Sequence, residues 1–141
     1  MSIASGADQL AAVLKERIDD DLRAVTAYWH DDGGQGFEVV HHHCEVDTTA
    51  ERIQYDEAAR EMIIDLLSKD DREDSFDLGS LTSTVYFFDE ATVVNFYVGD
   101  GAGIAFSVEP DSAAITRSFL ERCRTTVGPE AQDDRHEEHG I

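Results

Sequence analysis

The sequence predicts an α+β fold: a central antiparallel β-meander flanked by helices, in the order α-β-α-β-β-β-α. Three observations carry that prediction. Three short runs rich in Val, Phe and Tyr, at Ser83–Asp89, Thr92–Val98 and Gly103–Glu109, are separated only by hairpin-length loops at Asp89–Ala91 and Gly99–Ala102. An apolar stripe of helical period runs through the N-terminal part of the chain. A second such stripe lies between the first extended segment and the meander. At 141 residues one core is the natural arrangement. The boundaries predicted are a flexible lead over 1–7, a single domain over 8–128 and a disordered acidic tail over 129–141, which lacks apolar residues between Ala131 and Ile141.

From Asp8 to Trp29 the residues Leu10, Val13, Leu14, Ile18, Leu22, Val25 and Trp29 recur every three or four positions, which predicts one long helix ended by Gly33, Gly34 and Gly36. Phe37–Val46, rich in Val and His between turn-forming residues, reads as extended. Asp56–Leu67 is a helix with Ala59, Met62, Ile63, Leu66 and Leu67 on its buried face; Thr48–Gln54 is either an earlier turn of it or a loop. Lys69–Ser75 is polar throughout and reads as a surface loop. After the meander, Asp111 or Ser112 is expected to cap a last helix running to about Val127, with Ile115, Phe119, Leu120 and Cys123 on its apolar side.

The charge is extreme: 31 Asp and Glu against 11 Lys and Arg give −20 at pH 7. Over an accessible surface of roughly 7,300 Å², that is about one net negative charge per 360 Å². Such repulsion is screened at molar salt, where the Debye length falls to about 3 Å. Of the bases, only Lys15 and Lys69 are lysines. Direct nucleic-acid binding, which needs cations against phosphate, is not expected. Neither is a membrane span, since no apolar run approaches about 20 residues. A soluble, cytoplasmic protein is the expectation, with Cys44 and Cys123 reduced and buried.

Over residues 8–127 the element order is similar to that of the roadblock/longin and profilin-like domains, in which a central sheet lies between helices. A full match to the roadblock pattern requires a bulge or a partner strand for Phe37–Val46. The acidic, lysine-poor composition resembles proteins of salt-in haloarchaea, and the chain looks like the small, uncharacterised acidic α+β families of those organisms, from which no activity carries over.

Few residues suggest chemistry. In a strict strand, His41, His43 and Glu45 share one face with Phe37 and Val39, and an H-x-H pair with a third ligand can bind zinc. The competing reading is an edge strand that happens to carry imidazoles, with no cofactor. His42 and Cys44 make a weaker pair on the other face. Gly99, Gly101 and Gly103 join two strands around Asp100, which fits a hairpin turn and not a phosphate loop opening a helix. The meander is more informative. Val94, Phe96, Val98, Ile104, Phe106 and Val108 form one apolar face, yet the opposite face carries Tyr86, Phe88, Val93, Asn95 and Tyr97 beside Gly103, Ala105 and Ser107. Something must cover those aromatics: either the second helix, or a partner surface formed by Tyr86, Phe88 and Tyr97. The function expected is therefore that of a non-enzymatic interaction or regulatory accessory domain, acting as a homodimer or with another protein. The alternatives are a small-ligand sensor near Tyr28, Trp29 and Tyr97, between the sheet and the first helix, or a metal-binding protein using the histidine strand.

Overall fold

A computed structural model describes residues 3–42, 49–99, 101–112 and 115–127. Its elements are α1 (Ile3–Ile18), β1 (Leu22–Asp31), β2 (Gly34–His42), α2 (Thr49–Leu67), α3 (Lys69–Phe76), β3 (Ser83–Phe87), β4 (Thr92–Tyr97), β5 (Ala102–Val108) and a C-terminal helix over 117–127. The five strands form one antiparallel sheet in the order β2-β1-β5-β4-β3. The predicted meander is present as β3-β4-β5, and an N-terminal hairpin extends it by pairing β1 with β5.

Helices cover both faces. On one, Ala7, Leu10, Ala11 and Leu14 of α1, with Cys123 and Val127 of the C-terminal helix, pack on Leu22, Val25, Ala27, Val94, Phe96, Ile104, Phe106 and Val108. These include the apolar face expected from the meander. On the other, Ile63 and Leu66 of α2 pack on Tyr28 and Ala105, flanked by Phe37, Met62, Val93 and Tyr97.

Four expectations are corrected. The predicted helix over Asp8–Trp29 is a helix only to Ile18; a short 3₁₀ turn at Asp19–Asp21 leads into β1. Because β1 has neighbours on both edges and helices on both faces, Leu22, Ala24, Val25, Ala27 and Tyr28 are all buried, and the period-two signal of a strand is erased. Residues 3–7 are not a lead: they begin α1, and Ala7 is fully buried. Lys69–Ser75 is not a loop but α3, a helix with no buried residue. It is held by a Lys69–Glu73 ion pair of 2.8 Å, by Asp70 and Asp71 at its positive end, and by Asp77, whose left-handed φ of 55° lets its N–H reach the Glu73 carbonyl. Finally, Thr116 caps the last helix in place of Asp111 or Ser112. Its Oγ1 accepts from the Phe119 N–H at 3.2 Å, the N3 position. Glu109–Ser112, with Pro110 second, is a turn closed by the Ser112 N–H on the Glu109 carbonyl. The segment Thr48–Gln54, left open by the sequence, is helical from Thr49. The tail over 129–141 lies outside the described residues.

Candidate functional site

The second sheet face holds the densest polar chemistry. Across β1-β5-β4-β3 the register aligns Thr26, Ala105, Asn95 and Thr84 in one row, with Tyr28, Gly103 and Tyr97 beside it. Large phenols on β1 and β4 reach this face because β5 offers them Gly103: a Cβ there would lie 2.1 Å from the Tyr28 hydroxyl. Gly103 is therefore a packing glycine inside a strand, one of the small residues expected opposite the aromatics, and the left-handed turn position is taken by Gly99 at φ 72°.

The helix α2 lays Asp65 over this face. Its Oδ2 accepts the hydroxyls of Tyr97 (2.5 Å) and Tyr86 (2.8 Å), its Oδ1 takes the Arg72 guanidinium of α3, and Thr84 shares a 3.0 Å bond with the Tyr97 hydroxyl. Burial alone would raise the Asp65 carboxyl, but the Tyr97 and Tyr86 hydroxyls and Arg72 outweigh it and hold the group below its ordinary range. The phenols move the other way. Burial, then the bond to the Asp65 carboxylate, raises Tyr86 and takes Tyr97 to about 12. Deeper in, the Tyr28 hydroxyl donates to Asn95 Oδ1 at 2.5 Å, and burial raises its pKa as well. Asn95 is fully buried and its Nδ2 has no partner among the described residues. At neutral pH the phenols keep their protons and Asp65 its charge, which suits a clamp that docks α2 and α3 on β3 and β4.

The nominated residues separate accordingly. Tyr86 and Tyr97 are engaged inside the chain with Asp65, because α2 covers the face; Phe88 stacks on Tyr86 with 6.2 Å between centroids and stays 59% exposed. Tyr28 and Tyr97 lie on the α2 side of the sheet, whereas a ligand was expected on the side of α1; Trp29, next along β1, lies across Gly36 instead. His41 is half-buried and pairs with Val25, while Val39 pairs with Thr26. A bulge at Val40 thus removes His41 from the face it was expected to share with Phe37 and Val39. His43, Cys44 and Glu45 lie outside the described residues. Among the described residues no group of three or more His, Cys, Asp or Glu is arranged to hold a metal. Cys123 is a buried free thiol raised by burial to about 11.

Asp65 and Arg72 were missed by sequence reasoning. The available signal was on the sheet: Tyr86, Asn95 and Tyr97 on a face covered by a helix need a polar partner from that helix.

The flank beside this clamp is apolar and exposed. It comprises Ile64 (57%) and Leu67 (59%) of α2, Phe76 (69%) at the end of α3, Leu78 (84%) just beyond it, and Phe88 (59%) just beyond β3. Since β3 ends the sheet, one of its edges is unpaired within the described chain.

A family model matches residues 8–128, which is most of the sequence, and its description is a domain of unknown function, DUF7522. The chain belongs to the DUF7522 family. No curated protein matches. Among solved structures, this DUF7522 chain is similar to the gliding protein MglB from Thermus thermophilus, with a TM-score of 0.58 over 92% of this chain and 93% of that one, at 8% identity. That likeness places the DUF7522 fold with the roadblock/longin-like arrangement expected from element order. No helix among its described residues is long and apolar enough to cross a membrane.

Proposed function

We propose that this DUF7522 protein is a non-catalytic regulatory or interaction domain that works as a homodimer in a high-salt cytoplasm. The observation that carries the reading is the exposed apolar flank, above all Ile64 and Leu67 on α2, Phe76 at the end of α3 and Leu78 just beyond it. Several large apolar side chains left at this exposure on neighbouring elements are what an interface presents. Tyr86 and Tyr97, expected at such a surface from the sequence, do not contribute to it, since α2 covers them. The roadblock-like fold is consistent with an association role. High salt supports it further, because screening removes the mutual repulsion of two chains of charge −20.

The test is solution mass by light scattering in about 2 M NaCl, where the Debye length is under about 3 Å. The expected result is twice the monomer mass at roughly 50 µM, with an Ile64→Glu/Leu67→Glu variant monomeric yet folded. A monomeric wild type overturns the reading. A small-ligand sensor is the second reading, supported by a cavity of about 120 Å³ between α2 and the sheet, lined by Thr26, Tyr28, Tyr55, Met62, Val93 and Ala105. A ligand-dependent rise in melting temperature, reversed by filling the cavity with Ala105→Leu, would favour it. The proposed function needs no cofactor; zinc in untagged protein, lost on changing His41 and His43 to Gln, would instead favour the metal reading.

A further inference from the structure

The unpaired edge of β3 has a second neighbour, on the face away from α2. There β3 and the C-terminal helix enclose an open groove of about 420 Å³. Val85 and Phe87, on alternate positions of β3, give it an apolar floor together with Ile115 and Leu120. Its other wall is the helix stripe Arg117, Leu120, Glu121 and Arg124, spaced as one face of a helix. A helix face turned toward a sheet edge is ordinarily apolar; here it presents two guanidiniums. Glu121 pairs with Arg117 at 3.2 Å, but that pair is exposed and weak, and the wall keeps a net positive charge. On a chain of −20 with 11 basic residues, a positive wall beside an open strand edge runs against the charge of the whole molecule.

From this juxtaposition we infer that the groove takes an extended, acidic segment of another protein, added as a sixth strand on β3. Backbone N–H and C=O groups of the β3 edge supply the hydrogen bonds, the groove-facing alternate side chains of the segment lay their aliphatic stems beside Val85 and Phe87, and Arg117 and Arg124 meet the carboxylates at their ends. The apolar flank on α2 and α3 lies on the opposite face of the sheet, so the inference does not depend on the homodimer.

The probe is a fluorescein-labelled peptide of about eight residues, a strand with short flanks, alternating valine and glutamate. Controls are its valine–lysine counterpart and a version with alternate amides N-methylated. Anisotropy is read at the lowest salt that keeps the chain folded by circular dichroism. The glutamate peptide is expected to bind about five- to tenfold tighter than the lysine peptide, the scale of two rim ion pairs, although the charge of the whole chain favours lysine. The N-methylated peptide is expected not to bind. Arg117→Glu/Arg124→Glu should reverse the preference; Arg117→Gln/Arg124→Gln, which should abolish it, serves if the charge reversal does not fold. Equal or tighter binding of the lysine peptide overturns the inference, as does full binding of the N-methylated peptide or an unchanged preference in the variants. Displacement of peptide as protein concentration rises assigns the groove to a second copy and also overturns it. Peptide binding by Ile64→Glu/Leu67→Glu separates this site from the dimer, whose failure shows only in the mass.

Discussion

A carboxylate that is 7% exposed costs several kcal/mol to desolvate unless its oxygens are occupied, and at Asp65 both are, by Arg72 on one side and Tyr86 and Tyr97 on the other. Removing the charge with Asp65→Asn should lower unfolding free energy by about 1.5–3 kcal/mol, the range for hydrogen bonds to charged groups. Tyr97→Phe should cost about 1 kcal/mol, and the two together should fall short of the sum by more than about 0.5 kcal/mol, because they remove one shared contact. Chemical denaturation at pH 7 checks all three. The pH dependence has a definite sign. The folded pKa of Asp65 lies below its unfolded value of about 3.9, so its stabilisation is complete above that value and is lost as pH falls through the folded pKa. Protonating the many exposed acids relieves repulsion and acts the other way, so the informative quantity is the difference between wild type and Asp65→Asn. That difference should shrink below about pH 4. Gly103 is the second residue on which the site depends. Gly103→Ala drives a methyl into the Tyr28 ring, 2.1 Å from its hydroxyl, and should destabilise by about 1–3 kcal/mol or prevent folding. Full stability in that variant would show that Tyr28 has another place to go. The aromatic half of the clamp was visible in the sequence as Tyr86, Asn95 and Tyr97 where a wet face would be polar. Its acidic half was not, because one Asp among 31 acids carries no signal until the register sets it over two phenols.

At the scale of elements, local pattern succeeded in the meander, where hairpin-length loops bracket short apolar runs, and in α2, which keeps a wet face; it failed in one element that is dry on both faces and in one that is wet all round. The meander strands β4 and β5 and the buried stripe of α2 could be read directly. In β1, burial on both faces turned Leu22, Val25 and Trp29 into an accidental helical spacing continuous with α1. The opposite failure is α3, which buries nothing and therefore offers no stripe; what holds it is the Lys69–Glu73 pair, the Glu73 carboxylate on the Leu81 N–H at 2.6 Å, and Arg72 on Asp65. The bulge at Val40 is one of the two alternatives that the roadblock resemblance asked of Phe37–Val46; local pattern could not place it, since an inserted residue changes the pairing and leaves the composition of the strand untouched. The C-terminal helix gives a test at this scale. If Thr116 is its cap, Thr116→Ala should cost about 1 kcal/mol. Asp111→Ala, on the exposed turn before it, should stay within about 0.5 kcal/mol. Equal losses from the two would move the start of the helix back to the position the sequence suggested.

For the whole molecule the open question is which electrostatic effect prevails, and the slope of stability against salt answers it. The exposed ion pairs Arg23–Glu109 at 2.9 Å, Arg60–Asp56 at 3.0 Å and Arg117–Glu121 at 3.2 Å are all weakened by salt. Each contributes about 0.2–1 kcal/mol at most, so their loss would give a shallow decline in stability as salt rises. Against them stands a net charge of −20, whose mutual repulsion opposes compaction and is relieved by the same salt. With 31 acids against 11 bases, the repulsive sum should exceed those pairs. The clamp at Asp65 is buried and should respond little to salt. Melting temperature should therefore climb steadily between about 0.1 M and 2 M NaCl, as the Debye length falls from about 10 Å toward 3 Å. Salt also strengthens apolar burial, a contribution that excluded neutral solutes share. Sucrose at matched water activity should recover only part of the rise, whereas KCl should reproduce all of it. A flat or falling melting curve would mean that the ion pairs prevail and that the acidity is not an adaptation to salt. A rise matched in full by sucrose would assign the effect to solvent exclusion instead of screening.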